Sequence, residues 1–207
     1  LQDLDHPVDP LGEQRRLDAR LDVADAVDAD WLATSTLTIV HETPGGGPGV
    51  GYCFGDPGVD TPCPCSNDND GTVPGSGCAN GVFTSGAQLT ATGVASLAAD
   101  TLVLQTTNSE PVQFGLYFQA DNDLSPGIIW GDGLRCAGFN LKRLGTALSD
   151  STGYSDTTGY GYTISSKAGN ITAGDTKYYQ LWYRNIINSP CANDYNTSNG
   201  VAVLWGL

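Results

Sequence analysis

Methionine is absent from this chain, histidine occurs only as His6 and His41, and nine lysines and arginines stand against 23 aspartates and glutamates. Each shortage excludes something. A net charge of −14 repels phosphate backbones and anionic lipid, so nucleic acid is not an expected partner. With two histidines, both near the N-terminus, a histidine-based catalytic triad and a histidine-rich metal site are disfavoured. No apolar run reaches the roughly 18 residues that a spanning helix needs, so no membrane span is expected. The missing methionine carries the expectation that Leu1 follows a cleavage, with a signal peptide removed and an extracellular or cell-surface destination.

What is present has the composition of a β-protein. The 27 glycines and 11 prolines, with many Ser, Thr, Asn and Asp residues, punctuate short apolar runs. Aspartate makes up 20 of the 23 acids, a residue poor in helices and suited to turns, caps and hard cations. Three parts follow: an acidic arm at 1–42, a Gly/Pro linker at 43–50 and a body at 51–207. The arm holds 10 acids against Arg15, Arg16 and Arg20, half of the net charge on a fifth of the length. In it, Asp9-Pro10 reads as a helix start, and Leu17, Leu21, Ala24 and Trp31 recur at helical spacing. Residues 34–42, "TSTLTIVHE", alternate in the β-branched pattern of a strand. Thr36, Leu37, Thr38, Ile39 and Val40 are therefore a candidate assembly strand, packed on its own body or lent to a neighbour's sheet edge.

In the body, "AQLTATG", "DTLVLQTT", "VQFGLYFQA", "YGYTISS", "KYYQLWYRN" and "VAVLWGL" read as strands. Val112, Phe114, Leu116 and Phe118 share one face of the third run; Gln113, Gly115, Tyr117 and Gln119 share the other, one face being buried and one wet. In the fifth, Tyr179, Leu181 and Tyr183 oppose Tyr178, Gln180, Trp182 and Arg184. Aromatics on both sides suggest a central strand or an exposed aromatic patch, the first set reading as core and the second as a candidate for surface recognition.

Four of the six cysteines crowd into "CFGDPGVDTPCPCSNDNDGTVPGSGC" at 53–78. The C-x-C spacing of Cys63 and Cys65 lacks the two-residue gap of zinc knuckles, and an even set in an exported chain reads as disulfides. The favoured pairing joins Cys53 with Cys63, Cys65 with Cys78, and Cys136 with Cys191. In "SNDNDGT", Ser66, Asp68, Asp70 and Thr72 match the start of a calcium loop, the one candidate cofactor being Ca2+. The match stops there: the first position is serine and the twelfth, where a bidentate glutamate belongs, is Gly77, and such clusters also make ordinary turns.

No catalytic residue is assigned, and no enzyme is expected. Glu110 is the body's sole glutamate, and Asp100, Asp132 and Asp175 stand in turn-like contexts. The strings "YCFGD", "CPCSN", "GCANG", "GAQLTATG", "ADTLVL", "FGLYFQ", "GDGLRCAG", "RLG" and "GDTKYYQLWYRN", with Cys191 ahead of "VAVLW", occur in this order. Over about residues 51–205 the chain resembles an uncharacterised module found, usually C-terminally, in large secreted bacterial proteins. That resemblance implies an extracellular β-sandwich with disulfides and no assigned activity. The fold expected is thus an all-β, antiparallel, jelly-roll-like sandwich stapled by disulfides. Its leading role is a structural subunit that self-associates through the arm. The alternative is a carbohydrate-binding or adhesive module using Trp130, Tyr154, Tyr160, Tyr162 and Trp182 on a glycan. "NIT" at 170 and "NTS" at 196 fit the N-glycosylation pattern.

Overall fold

The computed structural model describes residues 48–207 except Val59. The expected helix and the candidate strand at 36–40 lie outside these residues. The described chain is all-β, built from eleven strands and one short helix. The strands are β1 (Gly49–Tyr52), β2 (Gln88–Thr92), β3 (Val103–Thr107), β4 (Phe114–Ala120), β5 (Asn122–Trp130), β6 (Gly133–Gly138), β7 (Lys142–Leu148), β8 (Ser155–Asp156), β9 (Thr176–Arg184), β10 (Tyr195–Thr197) and β11 (Gly200–Leu204). The helix, α1 (Ile164–Ala168), follows β8.

A six-stranded antiparallel sheet in the order β1-β11-β9-β4-β7, with β10 also on β9, forms the main layer. A three-stranded sheet, β2-β3-β8, packs against its inner face, and the β5–β6 hairpin lies on its outer face. Between the two layers sit Leu89, Leu104, Tyr117, Leu144, Ile164, Tyr179, Leu181, Tyr183, Val203 and Trp205, all essentially buried. Strand β9 is central, as its two-sided aromatic pattern predicted: Tyr179, Leu181 and Tyr183 enter the core while Gln180 and Trp182 face outward.

One reading left open by the sequence is settled and one is corrected. In β4 the buried inner face is the polar-looking one, Gly115, Tyr117 and Gln119, while Phe114 on the other face is 60% exposed. The hydroxyl of Tyr117 donates to Ser155 O at 2.8 Å, and Gln119 accepts from Tyr179 Oη at 2.9 Å, so these polar atoms enter the core already satisfied. The segment "YGYTISS" is not a strand: it ends a 3-10 turn at Tyr160 and opens α1. Thr163 caps the helix by accepting from Ser166 N–H, and Gly169 stops it in the left-handed region at φ 68°.

The cysteines all pair, as expected, but not in the expected register. The bridges are Cys53–Cys136, Cys63–Cys78 and Cys65–Cys191. The local loops favoured from sequence spacing lose to sheet topology. The segment after β1 returns under the β5–β6 hairpin, so Cys53 meets Cys136 on β6 with Cα atoms 5.8 Å apart. Cys65 likewise meets Cys191 in the β9–β10 loop across 126 residues.

Loop length sets the expected ranking of these staples. In the chain-entropy picture the Cys53–Cys136 bridge, spanning 83 residues, contributes about 4 to 5 kcal/mol. The Cys63–Cys78 bridge, spanning 15, contributes about 3 kcal/mol. In denaturant titrations the Cys53→Ser/Cys136→Ser pair should lose more stability than Cys63→Ser/Cys78→Ser; the reverse order would refute the assigned pairing.

Candidate functional site

The "SNDNDGT" turn does not assemble as a cation cradle. Asp70 accepts from Thr72 N–H at 2.9 Å and from the Thr72 and Thr84 hydroxyls, and Asp68 accepts from Cys63 N–H at 3.0 Å. Those donors hold the Asp70 carboxyl below its ordinary range, Thr72 foremost. Ser66 has φ 57° and is exposed, and no cluster of three or more His, Cys, Asp or Glu is placed for a metal among the described residues. The side chains expected to bind calcium hold the loop's own shape instead.

The body's acids are similarly occupied. Asp132, at the tip of the β5–β6 hairpin, is wholly buried and accepts from Asn185 Nδ2 and Ser189 Oγ, both at 2.6 Å, and from Asn193 Nδ2. Glu110 is buried too, with both oxygens accepting from Ile187 N–H at 3.1 Å. Burial raises its pKa, the Ile187 N–H pulling the other way. Asp100 and Asp175 bond the backbone of Leu102, Ser165 and Thr172, as turn residues do.

The tyrosine-rich segment is ordered by its own bonds. Tyr154 donates to Asp156 at 2.7 Å, Tyr162 donates to Leu144 O, and the Tyr160 ring packs edge-on to Tyr117 against the core. Only Tyr162 among these three is exposed, and Lys167 lies 5.2 Å over its ring. Of the two glycosylation patterns, the one at Asn196 is buried with its amide donating to Ala79 O, which withdraws it from the folded surface.

A run of apolar and aromatic side chains lies on the outer face of the main sheet. The β5–β6 hairpin covers part of that face. Gln180 on β9 accepts from Cys136 N–H at 2.9 Å and donates to Leu134 O and Ser198 O at 2.7 Å, tying the hairpin down beside the Cys53–Cys136 bridge. Beyond the hairpin the face carries half-buried Leu116 and Trp182 and, further out, exposed Phe114 and Leu148. Leu116 stands directly across from Trp182, and Phe114 directly across from Leu148, which is 52% exposed. Trp182 lies 5.8 Å from the Tyr195 ring, Tyr195 5.9 Å from Trp130, and Trp130 6.3 Å from Phe118. Edge-on and tilted packing of this kind fixes each ring through its neighbours. Gly131 at the hairpin tip adopts φ 65° and leaves room for Tyr195, whose ring would collide with any Cβ there.

Trp130 and Trp182, singled out in the sequence, are thus brought together through Tyr195, while Tyr154, Tyr160 and Tyr162 lie elsewhere. Tyr195, Leu116, Phe114 and Leu148 were missed. The alternation of β9 and β4 places Trp182 and Leu116 on outward faces, but only the cross-strand register makes them neighbours.

No family model, curated protein or solved structure matches the chain. Its three disulfides are the pattern of an oxidising compartment, and no helix among the described residues is long and apolar enough to cross a membrane.

Glu110 supplies a test of the buried-acid geometry. A carboxyl whose pKa is raised on folding destabilises the native state above that pKa, and the penalty fades as pH falls below the ordinary glutamate value. Glu110→Gln, whose Oε1 still accepts from Ile187 N–H, should melt higher than the parent at neutral pH. Its advantage should shrink on acidification; a constant difference across pH would contradict the assignment.

Proposed function

We propose that the body is an extracellular, non-enzymatic recognition module that binds a carbohydrate chain on the outer face of its main sheet. The observation that carries this reading is the strip running from the half-buried Trp130, Tyr195, Trp182 and Leu116 to the exposed Phe114 and Leu148. A contiguous apolar patch on a sheet face marks an interaction surface. Mutually braced aromatic rings present flat faces to sugar C–H groups without ordering on contact. Binding rather than catalysis fits the buried acids, which are saturated by donors of their own fold, and a body in which every described cysteine is bridged. The resemblance to modules of secreted bacterial proteins accords with an extracellular setting.

A second reading keeps the chain as a self-assembling subunit. It is favoured by β1, which pairs with β11 alone among the described strands and leaves an edge where a neighbour's residues 36–40 would add as a strand. On this reading the full chain forms filaments under negative-stain electron microscopy and a chain lacking residues 1–42 does not. Isolated particles from both would remove it.

For the recognition reading, affinity electrophoresis of the full chain against a panel of soluble polysaccharides is the direct measurement. Retention by at least one polymer is expected, together with a loss of about tenfold in affinity, or some 1.4 kcal/mol, for Phe114→Ala and for Trp182→Ala. Phe114 is exposed, so its truncation leaves the fold intact and separates lost binding from lost stability. Migration unaffected by every polymer would reject the reading.

A further inference from the structure

The body carries six basic residues, and its three arginines all stand around the aromatic strip. Arg135 lies with its guanidinium 5.8 Å over the Trp130 ring. Arg184 is the cross-strand partner of Tyr195, two residues from Trp182 on the same face of β9. Arg143 is the cross-strand partner of Phe118 on β7. Arg143 and Arg184 are exposed, and no carboxylate of the described residues lies within ion-pair distance of any of the three. The three lysines are placed differently: Lys177 is paired with Asp121 at 2.9 Å and with Asp175, Lys167 stands over Tyr162, and Lys142 is the cross-strand partner of Gln119, which belongs to the other face of β4.

On a chain of net charge −14, cations with no carboxylate partner among the described residues, gathered at one apolar face, make a local field opposite to that of the molecule. Arginine rather than lysine at all three corners matters, because the planar guanidinium grips a carboxylate through two parallel N–H bonds. Strand β7, holding Arg143, and strand β9, holding Arg184, flank β4. Two strand spacings across the sheet and four residues along it, with Arg143 opposite Phe118 and Arg184 level with Phe114, set the two roughly 16 Å apart, with Leu116 and Trp182 in the ground between.

We propose that the ligand of this face is an acidic polysaccharide: its sugar rings lie over Leu116, Trp182 and Tyr195, and its carboxylates pair with Arg143, Arg184 and Arg135. The inference rests on the recognition reading above and adds the charge of the ligand. A polyuronate suits the site better than single-stranded nucleic acid, although aromatic rings with basic neighbours serve both. Its pyranose rings offer C–H faces to the strip, which planar bases do not; both polymers carry about one negative charge per unit, so the acidic remainder of the chain repels both alike.

The test uses the full chain with polygalacturonate, the neutral polymers laminarin and hydroxyethylcellulose, and a thymidine oligonucleotide as probes. Polygalacturonate should bind, and should weaken steeply as salt is raised. Arg143→Gln/Arg184→Gln should bind it about tenfold more weakly with an unchanged melting temperature, because both side chains are exposed. Arg143→Lys/Arg184→Lys, keeping charge without the fork, should recover only part of the loss. Binding of a neutral polymer in preference, or equal binding by the Gln variant, overturns the acidic assignment and leaves the recognition reading standing. Preference for the oligonucleotide overturns the glycan in favour of nucleic acid. Binding of no probe overturns both.

Discussion

The attachment of the β5–β6 hairpin to the outer face of the main sheet is the constraint on which the remaining surface depends. Two kinds of interaction make it. The Cys53–Cys136 bridge ties the hairpin covalently to the segment leaving β1, and Gln180 replaces a core hydrophobe with three hydrogen bonds to backbone groups of β6 and the loop before β11. A wholly buried amide is costly unless its donors and acceptor are met, so this contact is tolerant of neither slippage nor rotation. Because the hairpin is fixed there, Trp130 at its end reaches Tyr195 and Phe118, and the outer face divides into a covered half and an open half.

The same use of polar groups runs through the region where Asp132 sits. Asn67 donates to Ala79 O and Asp132 O, Asn196 donates to Ala79 O, and Asn185, Ser189 and Asn193 converge on the Asp132 carboxylate. With much of the interior around the Cys-rich loop polar, hydrogen bonds and disulfides join apolar packing in defining it, although the buried Oδ1 of Asn67 has no partner among the described residues. The main core between the sheets is different in kind, with Leu, Val, Tyr and Trp side chains from both layers. The molecule therefore has one apolar core that drives collapse and a stapled polar apron that shapes the outer surface.

The sequence made some of this legible and hid the rest for identifiable reasons. Strand character, turn chemistry and the central place of β9 are local properties, and they could be read from period-2 alternation and from Gly, Asn and Asp punctuation. The face of β4 could not be assigned, because the strand is covered on both sides at one end: Phe118 is buried beneath the hairpin while Tyr117 is buried in the core. Disulfide partners failed similarly, since Cys53 and Cys136 are joined by topology across 83 residues rather than by nearness in sequence. Tyr195, Arg143 and Arg184 each look unremarkable alone, and only the register between β7, β4, β9 and β10 makes them a group.

That group also reinterprets the acidity of the chain. A net negative charge was first a reason to exclude anionic partners, and over most of the surface it remains one. Yet long-range repulsion and short-range pairing act on different scales: screening confines the first to about a Debye length, roughly 8 to 10 Å at ordinary ionic strength, whereas a bidentate contact acts at hydrogen-bond distance. An acidic molecule can thus hold an acidic polymer at a single place, provided arginines such as Arg143 and Arg184, exposed and without a carboxylate partner among the described residues, are gathered there and its carboxylates are engaged elsewhere. Asp70, Asp121, Asp132 and Asp156 are so engaged, each accepting from side chains or backbone of its own neighbourhood. On that proposal, repulsion by the remainder would confine such a ligand to this face, so that an unfavourable overall charge would act as selectivity for where the polymer lies.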